Sequence, residues 1–536
     1  MGREPSSALD FPLARQWIDD CANHHKTCTP RLDVPLPTRI LDLSSPEGNM
    51  DLRLRDSSEE TGRYAALSHC WGKTKPIQLT TETLEHFQKG ISFSELPKTF
   101  QDAVVATRNL GLSFLWIDSL CIIQNSTKDW EEQCGKMAQF YMNAEVTLAG
   151  PAASGCNSGF LHSRPEPCRK ITLDFHGSGS GGNGLDHVSL LHYGITEAWS
   201  SVMPELDSPL AKRGWVLQES LLSCRVLYFG SSRMYLECFQ NARFESCHVP
   251  IIWASLSTKT INASKARIDR FQNNPDGFKY WRSILEAYSK KLLTNPTDRL
   301  PALSGLASEI HKVTNAEYLA GIWREDIFKG LAWHIPSYAW ENPSPVSPSQ
   351  EYIAPSWSWA AAKHEFIFSP TYRCVSILEA MEIVQAQVSL AGLDKFGAVQ
   401  DGFIEVQGKV KRSTIRRLPH PYRSDDFRLC VSSEDAQFNA LADYYPDNAD
   451  VLDEDILEVL LLYMGIYWIQ FSATEVPNPI YVALGIEVTG RCQNEYRRVG
   501  LAYVEINEGN VLPVLDQGDK FPRMFEPLSM SKLRIV

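Results

Sequence analysis

The chain has 536 residues, of which 43% are hydrophobic and 22% charged, with a formal charge of −12 at pH 7. Its length exceeds one ordinary core and predicts two to four domains. The acidic balance excludes a general affinity for nucleic acid or anionic membranes, which need clustered positive charge. A local basic run from Lys409 to Arg417 reads as the exposed face of a strand. Thirteen cysteines, an odd number without a repeating pattern, suit a reducing compartment better than a disulfide framework and lead us to expect a cytoplasmic protein. The opening residues lack the apolar stretch of a secretory signal. The most apolar segment, Ile456 to Phe471, contains Glu458 and Gln470 and is shorter than the ~20 apolar residues of a spanning helix.

In chain order, Phe11 to His25 predicts a helix, followed by an extended, proline-rich stretch to about residue 60. Ala65 to Gly72 is a short apolar strand closed by glycine. Pro97 to Arg108 is an amphipathic helix with Phe100, Val104 and Thr107 on one side, proline in its first turn and Gly111 at its end. Ser113 to Asp118 has the apolar centre of a buried parallel strand. Ser126 to Met142 predicts one helix with the stripe Trp130, Cys134, Met137 and Tyr141, and Glu145 to Gly150 a third strand. Strand–helix–strand–helix–strand implies a parallel sheet with right-handed crossovers.

Gly177 to Gly184 reads as a flexible loop tip, and Lys212 to Cys238 as a turn with paired β-like segments. Residues 265–335 look helical, especially Tyr280 to Leu293 and Glu317 to His334. From about residue 350 the pattern is β, with Tyr481 to Val488 and Arg498 to Ile506 forming a hairpin or meander around Gly490. The expected organisation is an α/β module with a parallel sheet, a helical middle and a β-rich C-terminal region. Its expected segments are 1–60, 61–240, 241–345 and 346–536.

The stretch from Tyr64 to Gly150 carries Leu67–Ser–His–Cys–Trp–Gly72, Leu96–Pro–Lys–Thr–Phe–Gln–Asp–Ala103 and Leu115–Trp–Ile–Asp–Ser–Leu–Cys–Ile–Ile–Gln124. Asp129–Trp130, Met137 and Tyr141–Met–Asn–Ala144 follow, and later Arg213–Gly–Trp–Val–Leu–Gln–Glu219. Phrases around Thr297 to Leu306, Tyr318 to Trp323 and Ala354 to Trp359 extend the pattern. In these ordered phrases the chain resembles the fungal heterokaryon-incompatibility (HET) family. The resemblance implies self/non-self recognition and programmed cell death signalling in filamentous fungi, with other proteins of that pathway, or copies of the chain itself, as partners. It also implies a distant relation to TIR domains, whose sheet is flavodoxin-like and some of which hydrolyse NAD. By that analogy NAD is a candidate substrate, and the alternative to a recognition protein is an enzyme, NAD glycohydrolase-like or acting on a small molecule in secondary metabolism.

Ligands on open parallel sheets bind at the carboxyl ends of strands. Ser68, His69, Cys70, Trp71 and Gly72 stand at one such end, and Asp118, Ser119 and Cys121 at the next. Asp118 reads either as a reactive carboxylate or as a loop cap that accepts backbone amides. His69 and Cys70 are a base and a thiol, but neighbours on a strand point to opposite faces, which argues against a direct pair. Trp71 is a candidate for stacking on a ligand, as is Trp116. By the TIR analogy a catalytic glutamate belongs four residues after a tryptophan; that position is Cys134, with Glu132 half a turn away and a solvated acidic helix start as its plainer reading. Arg213, Trp215, Gln218 and Glu219 form a polar–aromatic cluster, with Glu219 as a second candidate acid. Cys21, His25 and Cys28 could share a helix face as three metal ligands, but no fourth is close in sequence and Cys238 and the Cys247–His248 pair are distant candidates only, so no zinc is expected. Phosphate loops, nucleophile elbows and His-Glu-x-x-His helices are absent from the sequence.

Overall fold

The computed structural model describes residues 9–28, 33–44, 50–72, 77–162, 170–176, 185–191, 208–231, 233–245, 271, 277–339, 351–368, 374–419, 427–432, 442–446, 456–469, 478–505, 525 and 528–536. The chain divides into two compact units, residues 1–267 and 268–536. The Gly177 to Gly184 loop lies outside the described residues.

The first unit is built on a sheet of eight strands. β1 (Arg39–Asp42) and β2 (Arg53–Asp56) come from the N-terminal stretch; β3 (Ala65–Ser68), β4 (Phe114–Trp116) and β5 (Val146–Ala149) are the three expected apolar strands. A separate hairpin, β6 (Lys170–His176) and β7 (Leu185–Leu191), precedes β8 (Arg225–Phe229), β9 (Met234–Cys238) and β10 (Ala242–Phe244). The spatial order is β2-β1-β4-β3-β5-β8-β9-β10. Only the centre, β4-β3-β5-β8, is parallel. The flanking strands pair antiparallel, so the sheet is mixed where a purely parallel one was expected. β3 is buried along its whole length, as a strand covered on both faces must be.

Helix α1 (Phe11–His24) is capped by Asp10, whose carboxylate accepts from Leu13 N, and it buries Ala14, Trp17, Ile18 and Cys21. Helix α2 (Leu84–Lys89) is short, and α3 (Lys98–Asn109) starts with Pro97 as its N-cap and ends before Gly111, which sits at φ +77. Asp118 opens the single-turn helix α4 (Asp118–Cys121) instead of ending a strand. The expected Ser126 to Met142 helix is two helices, α5 (Thr127–Cys134) and α6 (Met137–Asn143), divided at Gly135–Lys136. Glycine costs a helix interior about 1 kcal/mol relative to alanine, which favours a break there. Helix α7 (Gly214–Leu222) occupies what reads in the sequence as a turn.

Two anchors fix the elements that carry the candidate site. Asp102 of α3, buried, accepts from Phe160 N at 2.7 Å and Leu161 N at 2.9 Å and is paired with Lys98, which pins the loop after β5 onto the helix. The Ser223 hydroxyl donates to Glu219 O at 2.6 Å and lies 2.7 Å from the Thr147 hydroxyl, which ties the end of α7 to β5.

In the second unit α8 (Phe278–Ser289) and α9 (Pro301–Thr314) supply the helices. The expected Glu317 to His334 helix is instead a tight hairpin, β11 (Tyr318–Leu319) and β12 (Ile322–Trp323), followed by the single turn α10 (Ile327–Gly330). Ala320 and Gly321 both have positive φ, 44° and 98°, the signature of a two-residue hairpin turn. Gly321 O accepts from the indoles of Trp281 and Trp359 at 2.9 and 2.8 Å, so the tryptophan-rich phrases of this region are packing elements.

The C-terminal β region is β13 (Cys374–Glu379), β14 (Glu382–Leu390), β15 (Val399–Gly408), β16 (Val410–Pro419), β17 (Phe427–Ser432), β18 (Ala442–Pro446), β19 (Ile456–Ile469), β20 (Asn478–Val488), β21 (Glu495–Glu505) and β22 (Ser531–Ile535). The antiparallel pairings β19-β16-β17-β18-β21-β20-β19 close into a ring of six. β13 attaches to β19, and β22, β15 and β14 extend from β21. The apolar segment from Ile456 is therefore a strand of this ring, and the basic run lies on β16, where Arg412 is exposed and Ser413 buried. The hairpin around Gly490 is present as β20–β21. Among the described residues no helix is long and apolar enough to cross a membrane.

Candidate functional site

Because β3, β4 and β5 run parallel, the residues that follow them emerge on one edge of the sheet. The chain passes from β3 to β4 on one side and then to β5 on the other, so β3 is the switch point of the parallel core. There the structure brings His69 and Trp71 onto Asp118. The Trp71 indole donates to Asp118 Oδ2 at 3.1 Å, His69 Nδ1 lies 3.7 Å from Oδ1, and Ser119 N donates to Oδ1 at 2.7 Å. Asp118 thus accepts the next main-chain amide of its own turn and also faces an imidazole.

Arg213, at the start of α7, donates to His69 O. One turn and a half further along α7, Glu219 is buried with Tyr141 of α6 and Ser68 beside it. Burial pushes the Glu219 carboxyl up to about 7, against the opposing pull of Arg213 and of the Ser68 and Tyr141 hydroxyls; the Asp118 charge adds to the rise. Its Oε2 atom meets no hydrogen-bond partner. His69 is pressed the other way: burial lowers it to about 4, with Asp118 opposing and Arg213 assisting, so the imidazole is neutral at pH 7. The ring stands edge-on to Phe100 of α3, 5.0 Å between centroids, and Nε2 has no partner. The mouth of the site is formed by Trp71, Asp118 and Arg213, half-buried, and exposed Gly72.

The wall between the β3 and β5 loops is backbone against backbone. Gly72 has φ +79, and a Cβ placed there meets the Gly155 Cα at 2.8 Å. Gly72→Ala is therefore expected to cost about 1–3 kcal/mol and to part the two loops. A melting temperature equal to that of the wild type would show that the loops are not in contact.

Other candidates are placed elsewhere. The Cys70 thiol packs with Ala149, Leu210, Val216 and Val226, and burial raises it, so it makes no thiolate–imidazole pair with His69. Cys121 is buried in the main core and pushed up to about 12 by burial. Ser119 is fully buried within α4, Trp116 packs between Phe140 and Tyr141, and Trp215 lies against the core. Gln218 is buried on α7. Glu132 is exposed on α5, while Cys134 of the same helix turns inward, and no contact joins Glu132 to the cluster among the described residues. Tyr141, seen in the sequence only as part of a helix stripe, is the additional member of the site.

A second cluster overturns the premise behind the expectation of no zinc. The ligand atoms of Cys21, His25, Cys28 and Cys238 all lie within 4.8 Å of one another, so the fold supplies the fourth ligand that the local sequence lacks.

The fold and site define an α/β module with a polar cluster, partly open to solvent, at the carboxyl ends of its parallel strands. Residues 64–219 match the family model described as Heterokaryon incompatibility protein (HET), and the module is a HET domain. That match begins at the residue before β3 and ends on Glu219, so it encloses every member of the cluster. No curated protein and no solved structure matches the chain.

Proposed function

We propose that the HET domain is a death-inducing effector of fungal self/non-self recognition and that it acts through chemistry at the Asp118–Glu219 cluster. The observation that carries this reading is the buried Glu219 carboxyl, which titrates at about 7 a short distance from a second carboxylate. A group whose pKa sits at the working pH gives and takes protons with least penalty. In this reading Glu219 exchanges the proton, Asp118 offers a second carboxyl group at the edge of the site, and Arg213 and Trp71 hold a small polar ligand. The parallel strands run second–first–third–fourth across the sheet, the order that begins flavodoxin-like sheets, and this supports the analogy with TIR domains. NAD hydrolysis is less well supported, because Cys134 stands where that analogy wants a glutamate and Glu132 faces solvent. The protein acts in the cytoplasm, with pathway proteins or further copies of itself as partners.

The test is expression of the full chain in a filamentous fungus. The wild type is expected to kill, and Asp118→Asn and Glu219→Gln to be tolerated while melting as folded proteins. Lethality undiminished in both variants would refute a chemical role for the cluster. NAD measured alongside distinguishes substrates: rapid loss points to NAD, unchanged NAD to another small molecule.

A further inference from the structure

We propose that Cys21, His25, Cys28 and Cys238 form a tetrahedral Cys₃His zinc site that clasps helix α1 to strand β9. The four residues arrive by three separate routes. Cys21 is buried in the last turn of α1, and His25 is the residue that caps it. The chain then turns, with Cys28 N donating to His25 O at 3.1 Å, so that Cys28 comes back over the helix end. Cys238 closes β9, more than two hundred residues later, and its Sγ lies 3.3 Å from His25 Nδ1.

Geometry, chemistry and surroundings agree. Zinc–sulfur bonds of about 2.3 Å in a tetrahedron place neighbouring sulfurs about 3.8 Å apart, which ligand atoms already within 4.8 Å of one another need only small adjustments to reach. Three thiolates and one imidazole form a donor set that selects zinc over the hard cations, and four protein ligands with no open position make the site structural. The supporting contacts are those that orient thiolate ligands. The Arg225 guanidinium, fully buried, donates through Nε to Cys21 Sγ at 3.3 Å and through Nη2 to Cys28 O at 3.0 Å. Asn241 N donates to Cys238 Sγ at 3.2 Å. A divalent ion with three thiolates carries one net negative charge, and Arg225 lies against it. Buried cysteines that merely pack are common, but packing alone does not bring an imidazole nitrogen onto one sulfur of a cluster and a guanidinium onto another.

Cys224, also buried in this sulfur cluster, is the rival for a place in the coordination shell. The site lies outside the matched HET segment on both sides, at residues 21–28 and 238. It would thus fasten the module's N-terminal helix to the strand that follows it, and it stands independently of the Asp118–Glu219 chemistry.

The experiment uses the full chain, expressed with zinc in the medium. Elemental analysis is expected to give about one zinc per chain, and cobalt substitution to give the thiolate-to-metal band and the visible bands of a tetrahedral sulfur-ligated ion. Cys238→Ser and Cys28→Ser are expected to lower zinc retained against a chelator at least tenfold, whereas His25→Cys keeps it and Cys492→Ser, at an exposed cysteine, leaves it unchanged. Should the serine variants fail to fold, the cobalt spectrum of the wild type and its loss of thermal stability on chelation decide the matter. Folded, metal-free wild-type protein, a disulfide between any two of the four residues' cysteines, or zinc undiminished in Cys238→Ser would each overturn the assignment.

Discussion

Glu219→Gln is expected to raise the stability of the chain at pH 8 by about 3 kcal/mol while removing its activity. The carboxyl titrates at about 7 in the folded protein and near 4.5 when unfolded. Between those values the folded state holds a proton that the unfolded state has released, so stability falls as pH rises through the window. Below pH 4.5 both states are protonated and the cost disappears; above pH 7 it is complete. Glutamine keeps the shape without the charge and escapes the cost. His69 has the mirror dependence, because its folded value of about 4 lies below its unfolded value of 6.5. Its contribution is lost as pH falls from 6.5 to 4. The two slopes oppose each other between pH 4.5 and 6.5 and leave the wild type nearly flat there. Glu219→Gln should uncover the rising limb and His69→Asn the falling one. The difference between variant and wild type at each pH, from chemical denaturation, cancels the separate contribution of His334, which burial holds near 3. A Glu219→Gln curve parallel to that of the wild type from pH 4 to 8 would show that the carboxyl titrates normally and would remove the basis for its proposed role.

Asp102→Ala is expected to destabilise the first unit by about 3–5 kcal/mol. One buried carboxylate receives both Phe160 N and Leu161 N, and deletion leaves two amides without an acceptor. Lys98 loses its partner as well, but its side chain is half-exposed and water replaces the loss. The change should also be visible locally. Hydrogen exchange at Phe160 and Leu161 is expected to accelerate well before the sheet opens, because the loop of residues 150–161 leans on α3 through this residue and through Thr99, which donates to Gly155 O at 3.0 Å. Protected amides at 160 and 161 in the variant, with an unchanged melting point, would contradict the pinning.

The parallel centre of the first unit was legible because β3, β4 and β5 are short apolar runs separated by helices, and that pattern has few alternatives. The flanks were not. β1 and β2 read Arg39–Ile–Leu–Asp42 and Arg53–Leu–Arg–Asp56, four residues each with charged ends, and only their pairing makes them strands. Helix α7 was hidden for the opposite reason: Val216, Gln218, Glu219, Leu221 and Leu222 are all buried, so it shows no polar face to mark a helical period. The same all-round burial disguised the stretch from Ala332 to Ile335 as helix. Closure of the six-stranded ring depends on β18 meeting β21 across more than fifty residues, which no local pattern encodes. For the site, the rule that parallel strands deliver their ends together was enough to join His69 and Asp118. The packing of α6 against α7 decides the titration of Glu219 and the arrival of Tyr141, and Cys238 joins Cys21 only through the fold.

Among the described residues the sheet of the second unit ends at β13 and β14, which lie outside the ring and pair with a strand on one side. Each accepts a side-chain cation on a main-chain carbonyl: Lys329 Nζ on Cys374 O at 3.3 Å, and Arg324 Nη2 on Ala386 O at 2.8 Å. Val375, Leu378 and Val384 remain exposed on these strands and would otherwise invite templated growth by a second chain. An incoming strand must first strip an ammonium or a guanidinium from its carbonyl. Two cations thereby blunt these described edges of the β-rich unit against the addition of another strand.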